Sequence, residues 1–161
     1  MPALSSIPPP VQTQEIPWSE MFSVSVEQYH AMIAAGAITN EDKVELLRGR
    51  LVRKMAKHPP HKVCNRKIDL ALSGAVPAGW HVTNQDSLTL SDSEPEPDAM
   101  VVRGNLADYT HRHPGPHEAG VVVEVADSSL SRDRGYKRQL YAEAGIPFYW
   151  IANLIDHQIL Q

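Results

Sequence analysis

The 161-residue chain has one cysteine, Cys64, and only two phenylalanines. A single cysteine excludes an internal disulfide framework and fits a reducing compartment. Cys64 falls on the apolar side of a predicted helix, so it reads as a buried, inert thiol rather than a nucleophile. No apolar run is long enough to span a bilayer. The N-terminus has no basic stretch followed by an apolar one, so no secretory signal is read there. The expectation is a soluble, cytoplasmic protein without membrane contact. Excess positive charge is also lacking: the net charge is −4 and the pI about 6.0. That excludes the profile of a dedicated nucleic-acid coat protein. What is present is ordinary globular composition, 42% hydrophobic and 21% charged, in a chain long enough for one domain with a real core.

The charges are unevenly placed. From Arg48 to Lys67 there are eight Lys or Arg residues and no Asp or Glu. Asp86, Asp92, Glu94, Glu96 and Asp98 then crowd the next acidic stretch. A basic surface beside an acidic pocket suits a polyanion gripped around a cation; taken alone, the basic run reads as a solvated helix face.

Residues 1–20 are rich in Pro, Ser and Gln and read as a flexible tail, leaving 21–161 as the folded domain. Ser25-Val26-Glu27-Gln28 is a capping box opening a short helix. The segments 44–47 and 51–52 flank Arg48-Gly49-Arg50, which reads as a tight hairpin. Pro59-Pro60 opens a second helix, whose apolar side is read as Cys64, Ile68, Ala71, Leu72 and Ala75. Strand patterns follow at 80–84, 88–90, 98–103 and 120–126, then a helix over 131–144 and a strand at 148–151. A last strand begins at His157 and stops abruptly, so the chain is expected to lack its natural final hairpin. The order predicts an α/β (α+β) domain with a mixed sheet flanked by helices.

Two carboxylates sit at unusual places. Asp98 follows Pro97 and opens the run Ala99-Met100-Val101-Val102; Glu124 lies inside Val121-Val122-Val123-Glu124-Val125. Taken singly, Asp98 reads as a loop residue after proline, whereas the flanking valines make a solvent-facing Glu124 hard to sustain. Two carboxylates about 4 Å apart repel by roughly 4 kcal/mol at an effective dielectric near 20. A hard dication such as Mg²⁺ or Mn²⁺ reverses that sign, with Asp98 and Glu124 as ligands and the Val125 carbonyl as a further one. Bound there, it lowers the pKa of a water and polarises a phosphate. Lys137, in the predicted helix, is placed to orient the water or neutralise the phosphate.

With these residues, the chain resembles the Uma-type restriction endonuclease family, within the PD-(D/E)XK nuclease superfamily. The resemblance rests on Val44–Val52, Glu96–Val102, Val121–Val125, Asp133–Lys137 and Tyr141–Ile151, in that order. It implies a restriction-endonuclease-like fold, a metal held by Asp98 and Glu124, DNA as substrate, and a catalytic or metal-linked role for Glu45. The superfamily lysine stands two residues after the glutamate, on the same strand face. Here that position is Ala126, and the resemblance places the lysine at Lys137. A homodimer is expected because cutting both strands of a duplex is easiest with two sites.

His61, Lys62, Arg66 and Lys67 on the basic helix are candidate DNA contacts, with His61 also read as a capping or surface histidine. The cluster His111, His113 and His117 has zinc-ligand character, but its intervening Gly and Pro read as a floppy loop. Tyr141 and Trp150 read as core aromatics. Asp127, Ser128 and Ser129 read as caps of the Lys137 helix. The rival to a nuclease is a binding module on a nuclease-like scaffold without turnover, and a Lys137 facing solvent would favour it. A third reading is a metal-dependent hydrolase of RNA or another phosphoester.

Overall fold

The computed structural model describes residues 16–161. Most of the expected tail, residues 1–15, lies outside the described residues. The end of it forms a 3₁₀ turn, Trp18–Glu20, whose Trp18 carbonyl accepts a hydrogen bond from Arg50.

Helix α1, Val26–Ala34, starts at the predicted capping box: Ser25 and Gln28 exchange side-chain and backbone hydrogen bonds. Strands β1 (Val44–Leu47) and β2 (Arg50–Arg53) form a hairpin in which Leu47 pairs with Arg50. Its two turn residues, Arg48 and Gly49, both have positive φ, 46° and 69°, as a primed turn requires. Gly49 is needed for space as well, since a Cβ there would stand 1.9 Å from Ser23 Oγ.

Helix α2, Pro59–Ser73, packs along the strands β3 (Trp80–Thr83), β4 (Ala99–Arg103) and β5 (Ala119–Ala126). Its inward stripe differs from the expected apolar one. His61 and Asn65 are its buried residues, Cys64, Ile68 and Leu72 are half-buried, and Ala71 and Ala75 are exposed. The rotation follows from polar anchors: His61 reaches Asp98, and Asp69 accepts a hydrogen bond from Asn84. Cys64 is a free, half-buried thiol rather than a fully buried one, and burial pushes its pKa up.

After β5 the chain makes α3 (Leu130–Arg132), a π-helical turn (Asp133–Lys137) and α4 (Arg138–Glu143). Strands β6 (Phe148–Asn153) and β7 (Gln158–Leu160) follow. The sheet order is β3-β4-β5-β6-β7, with β5 and β6 parallel and the other pairs antiparallel. This is the expected mixed sheet flanked by helices. Residues 88–90 join no strand ladder. Leu88 and Leu90 still alternate into the core, and their N–H groups bond Pro95 and Ser93. The main core sets Met100, Val102 and Val122 of the sheet against Leu140 and Tyr141 of α4.

Candidate active site

The β4–β5 register places the two carboxylates. Ala99 pairs with Val123 and Met100 with Val122, so the next step of the ladder sets Asp98 opposite Glu124. Cross-strand partners share a face. β5 is the central strand of the sheet, and Glu124 is only 5% exposed.

Lys137 supplies the counter-charge. Its Nζ donates to Glu124 Oε1 at 2.8 Å and lies 3.2 Å from Glu45 Oε2. It is 4% exposed, so it does not face solvent. Tyr141, one helical turn on, donates to the same Glu124 oxygen at 3.0 Å. Residues four apart share a helix face. The π-helical turn inserts an extra residue just before this pair, and such turns recur at functional sites. Tyr149 donates to the Asp133 carbonyl within that turn at 3.1 Å.

Glu45, on β1, is buried, and its Oε2 accepts from the Glu96 N–H at 3.3 Å. Asp98 is held from three sides. Val125 N–H donates to Oδ2 at 2.8 Å, His61 Nε2 stands 3.1 Å from the same oxygen, and Lys57 Nζ stands 2.9 Å from Oδ1. The Lys57 approach lies outside hydrogen-bonding angles, and Asp98 Oδ1 is buried without a hydrogen bond.

Electrostatics follow from this crowding. Burial, with Asp98, Asp133 and Glu45 nearby, pushes Glu124 up to about 8 against the pull of Lys137. Lys137 is held charged: burial opposes it, but Glu124 and Glu45 raise its pKa further. Burial also raises Asp133. Asp98 goes the other way, because His61 and Lys57 outweigh the cost of its burial. The site is therefore richer in carboxylate than in cation. A cavity of about 50 Å³ lies among Glu45, Lys57, His61, Asp98, Glu124 and Lys137, roughly the room of an ion or a water.

The structure thus gathers Glu45, Asp98, Glu124, Lys137 and His61. Lys62, Arg66 and Lys67 instead lie exposed on α2, where Arg66 pairs with Asp69. Sequence reasoning did not single out Lys57, Asp133 or the hydrogen-bonding role of Tyr141. The available signal was spacing: Lys57 precedes His61 by four residues, as Asp133 precedes Lys137 and Lys137 precedes Tyr141. The histidine loop is not loose: Arg112 grips Glu118 with two bonds of 2.7 and 2.6 Å. Among the described residues, no three His, Cys, Asp or Glu side chains form a group able to hold a metal ion. No helix among them is long and apolar enough to cross a membrane.

No curated protein matches the sequence. Among solved structures, a crystal structure from Anabaena variabilis, described as a "putative nuclease belonging to DUF820", shares the fold. It aligns with a TM-score of 0.62 at 12% identity, over 81% of this chain and 74% of that one. A family model described as "Uma2: Putative restriction endonuclease" matches residues 26–160. That span contains β1, α2, the sheet and the whole carboxylate–lysine centre, and the chain belongs to the Uma2 family.

Proposed function

We propose that this protein is a Mg²⁺- or Mn²⁺-dependent endonuclease of the PD-(D/E)XK type that hydrolyses DNA phosphodiester bonds. The observation that carries the reading is that Glu45 and Glu124 share one buried lysine while Asp98 stands at the next ladder step, opposite Glu124. The donor set fits a hard dication: its side-chain ligands are oxygens, carboxyl groups outnumber lysines and arginines around the cavity, and Asp98 Oδ1 lacks a hydrogen bond. Mg²⁺ commonly takes one or two carboxylates plus substrate phosphates, so a preformed cage of three side chains is not required.

Asp98 and Glu124 are the proposed metal ligands. The ion would supply Lewis acidity and a more acidic water. Lys57 is the cation it would have to replace at Asp98 Oδ1. Lys137, fixed by two carboxylates, is assigned to hold the attacking water or meet charge growing on the phosphate. Glu45 keeps that lysine charged and aimed. Tyr141 fixes the Glu124 carboxylate, and His61 fixes Asp98. The exposed Lys62, Arg66 and Lys67 are assigned to DNA phosphates, a homodimer would present two centres to a duplex, and the cytoplasm is the proposed compartment.

The second reading is a nuclease-like binding module without turnover. It is favoured by the pairing of each carboxylate with a protein cation already in place. One assay separates the readings: incubate the protein with Mn²⁺ and duplex DNA, RNA or a small phosphodiester. The endonuclease reading expects DNA cleavage that Asp98→Ala and Glu124→Ala abolish while remaining folded. Full activity in either variant overturns the site assignment. Preferential cleavage of RNA or of the small ester redirects the substrate class.

A further inference from the structure

Glu94 lies outside this centre and is buried to 2% exposure. Its Oε2 accepts from His30 Nε2 at 2.7 Å and from Thr89 Oγ1 at 2.8 Å. Its Oε1 accepts no hydrogen bond among the described residues, with His113 Nε2 4.0 Å away. Oε1 is not sealed inside the protein, so a donor in the adjoining cavity can reach it. Glu94 forms part of the wall of a cavity of about 900 Å³, ample for a nucleotide-sized ligand. Half-buried Tyr109 also borders it, with Arg112 over its ring at 4.9 Å.

The cavity is tied to the carboxylate–lysine centre. Glu94, Glu96 and Asp98 alternate along one Pro-punctuated segment. Glu94 faces the large cavity, the Lys54–Glu96 ion pair borders both cavities, and Asp98 belongs to the centre. Extended chain of that length places Glu94 roughly 13 Å from Asp98, a distance a strand covers within a few nucleotides. The open oxygen is an acceptor within reach of a hydrogen-bond donor on a ligand in the cavity. A carboxylate accepts from the exocyclic amino group of a base, and enzymes acting on nucleic acids pay to unstack a base when a pocket receives it.

We infer that this cavity is a base-binding pocket, in which Glu94 Oε1 accepts the amino group of an unstacked adenine, cytosine or guanine near the scissile phosphate. The inference rests on the nuclease reading for its substrate. Thymine offers only N3–H, flanked by two carbonyl oxygens that repel the carboxylate, and fits worst.

The test needs neither cleavage nor metal. The full chain, with labelled histidines, is titrated with dAMP, dCMP, dGMP and dTMP while the imidazole signals of His30 and His113 are followed. The three amino-bearing nucleotides are expected to shift both signals saturably, with dTMP at least about tenfold weaker. Glu94→Met, which removes the acceptor and is checked for folding by thermal denaturation, is expected to abolish that preference. Equal response to all four nucleotides, no response, or an unchanged preference in folded Glu94→Met overturns the inference; the native titration decides by itself if the variant does not fold. Cleavage without base preference defeats only the pocket. Base preference without metal-dependent cleavage of any substrate defeats only the nuclease reading.

Discussion

Lys137 donates to Glu124 across 2.8 Å, although the two residues lie thirteen positions apart and on different elements. The lysine reaches Glu124 from a helix, while the strand position two residues along β5 holds Ala126. Lys137 is also in reach of Glu45, so one ammonium serves two buried carboxylates.

Lys137→Met should therefore be strongly destabilising. Removing one partner of a buried ion pair costs about 3–5 kcal/mol, because the remaining charge is stranded. Urea unfolding at pH 8 checks this. A loss within the range of ordinary surface substitutions would mean that the carboxylates do not depend on the lysine.

Stability without metal should fall as pH rises from about 5 to 8. Glu124 is pushed up to about 8 in the fold, mainly by burial, against 4.5 in the unfolded chain. Between those values the folded state holds a proton that the unfolded state has released, so rising pH favours unfolding. Asp98 works at the acid end: its pKa is lowered, and its contribution disappears as pH falls through that value. Denaturation midpoints at pH 6 and pH 8 should differ in the native protein and converge in Glu124→Gln.

Lys57→Ala should tighten Mn²⁺ binding several-fold. Lys57 Nζ stands 2.9 Å from Asp98 Oδ1 and competes with a cation for that oxygen. Unchanged or weaker binding in the variant would remove Lys57 from the role of placeholder.

Gly49→Ala should cost about 1–3 kcal/mol, from its left-handed backbone and the clash with Ser23. Ser23→Gly in the same chain should return part of that loss, since it removes the Oγ and Cβ that the new methyl meets. Thermal unfolding of the single and double variants measures both terms.

Much of this was legible in the sequence. The valine runs around Glu124 and after Asp98 marked two buried strands, and their carboxylates stood out because burial without compensation is expensive. Glu45 came from family resemblance, since nothing in local spacing ties a hairpin glutamate to β5, whereas Lys137 stood out beside the two carboxylates and the resemblance gave it the place of the strand lysine. Lys57 and Asp133 were not legible, because their roles depend on the rotation of α2 and on a π-helical turn. The α2 stripe was misread for the same reason: His61 and Asp69 set its orientation through polar partners, which hydrophobic periodicity does not register. Tyr141 was rightly placed in the core, but its hydroxyl bond to Glu124 appears only in three dimensions.

The most direct test of the proposed metal dependence is a calorimetric titration with Mn²⁺, with and without duplex DNA, of the native protein and Asp98→Ala. The account predicts binding by the native protein, strengthened by DNA, and none by the variant. No binding by either protein in the presence of DNA, or equal binding by both, would contradict it.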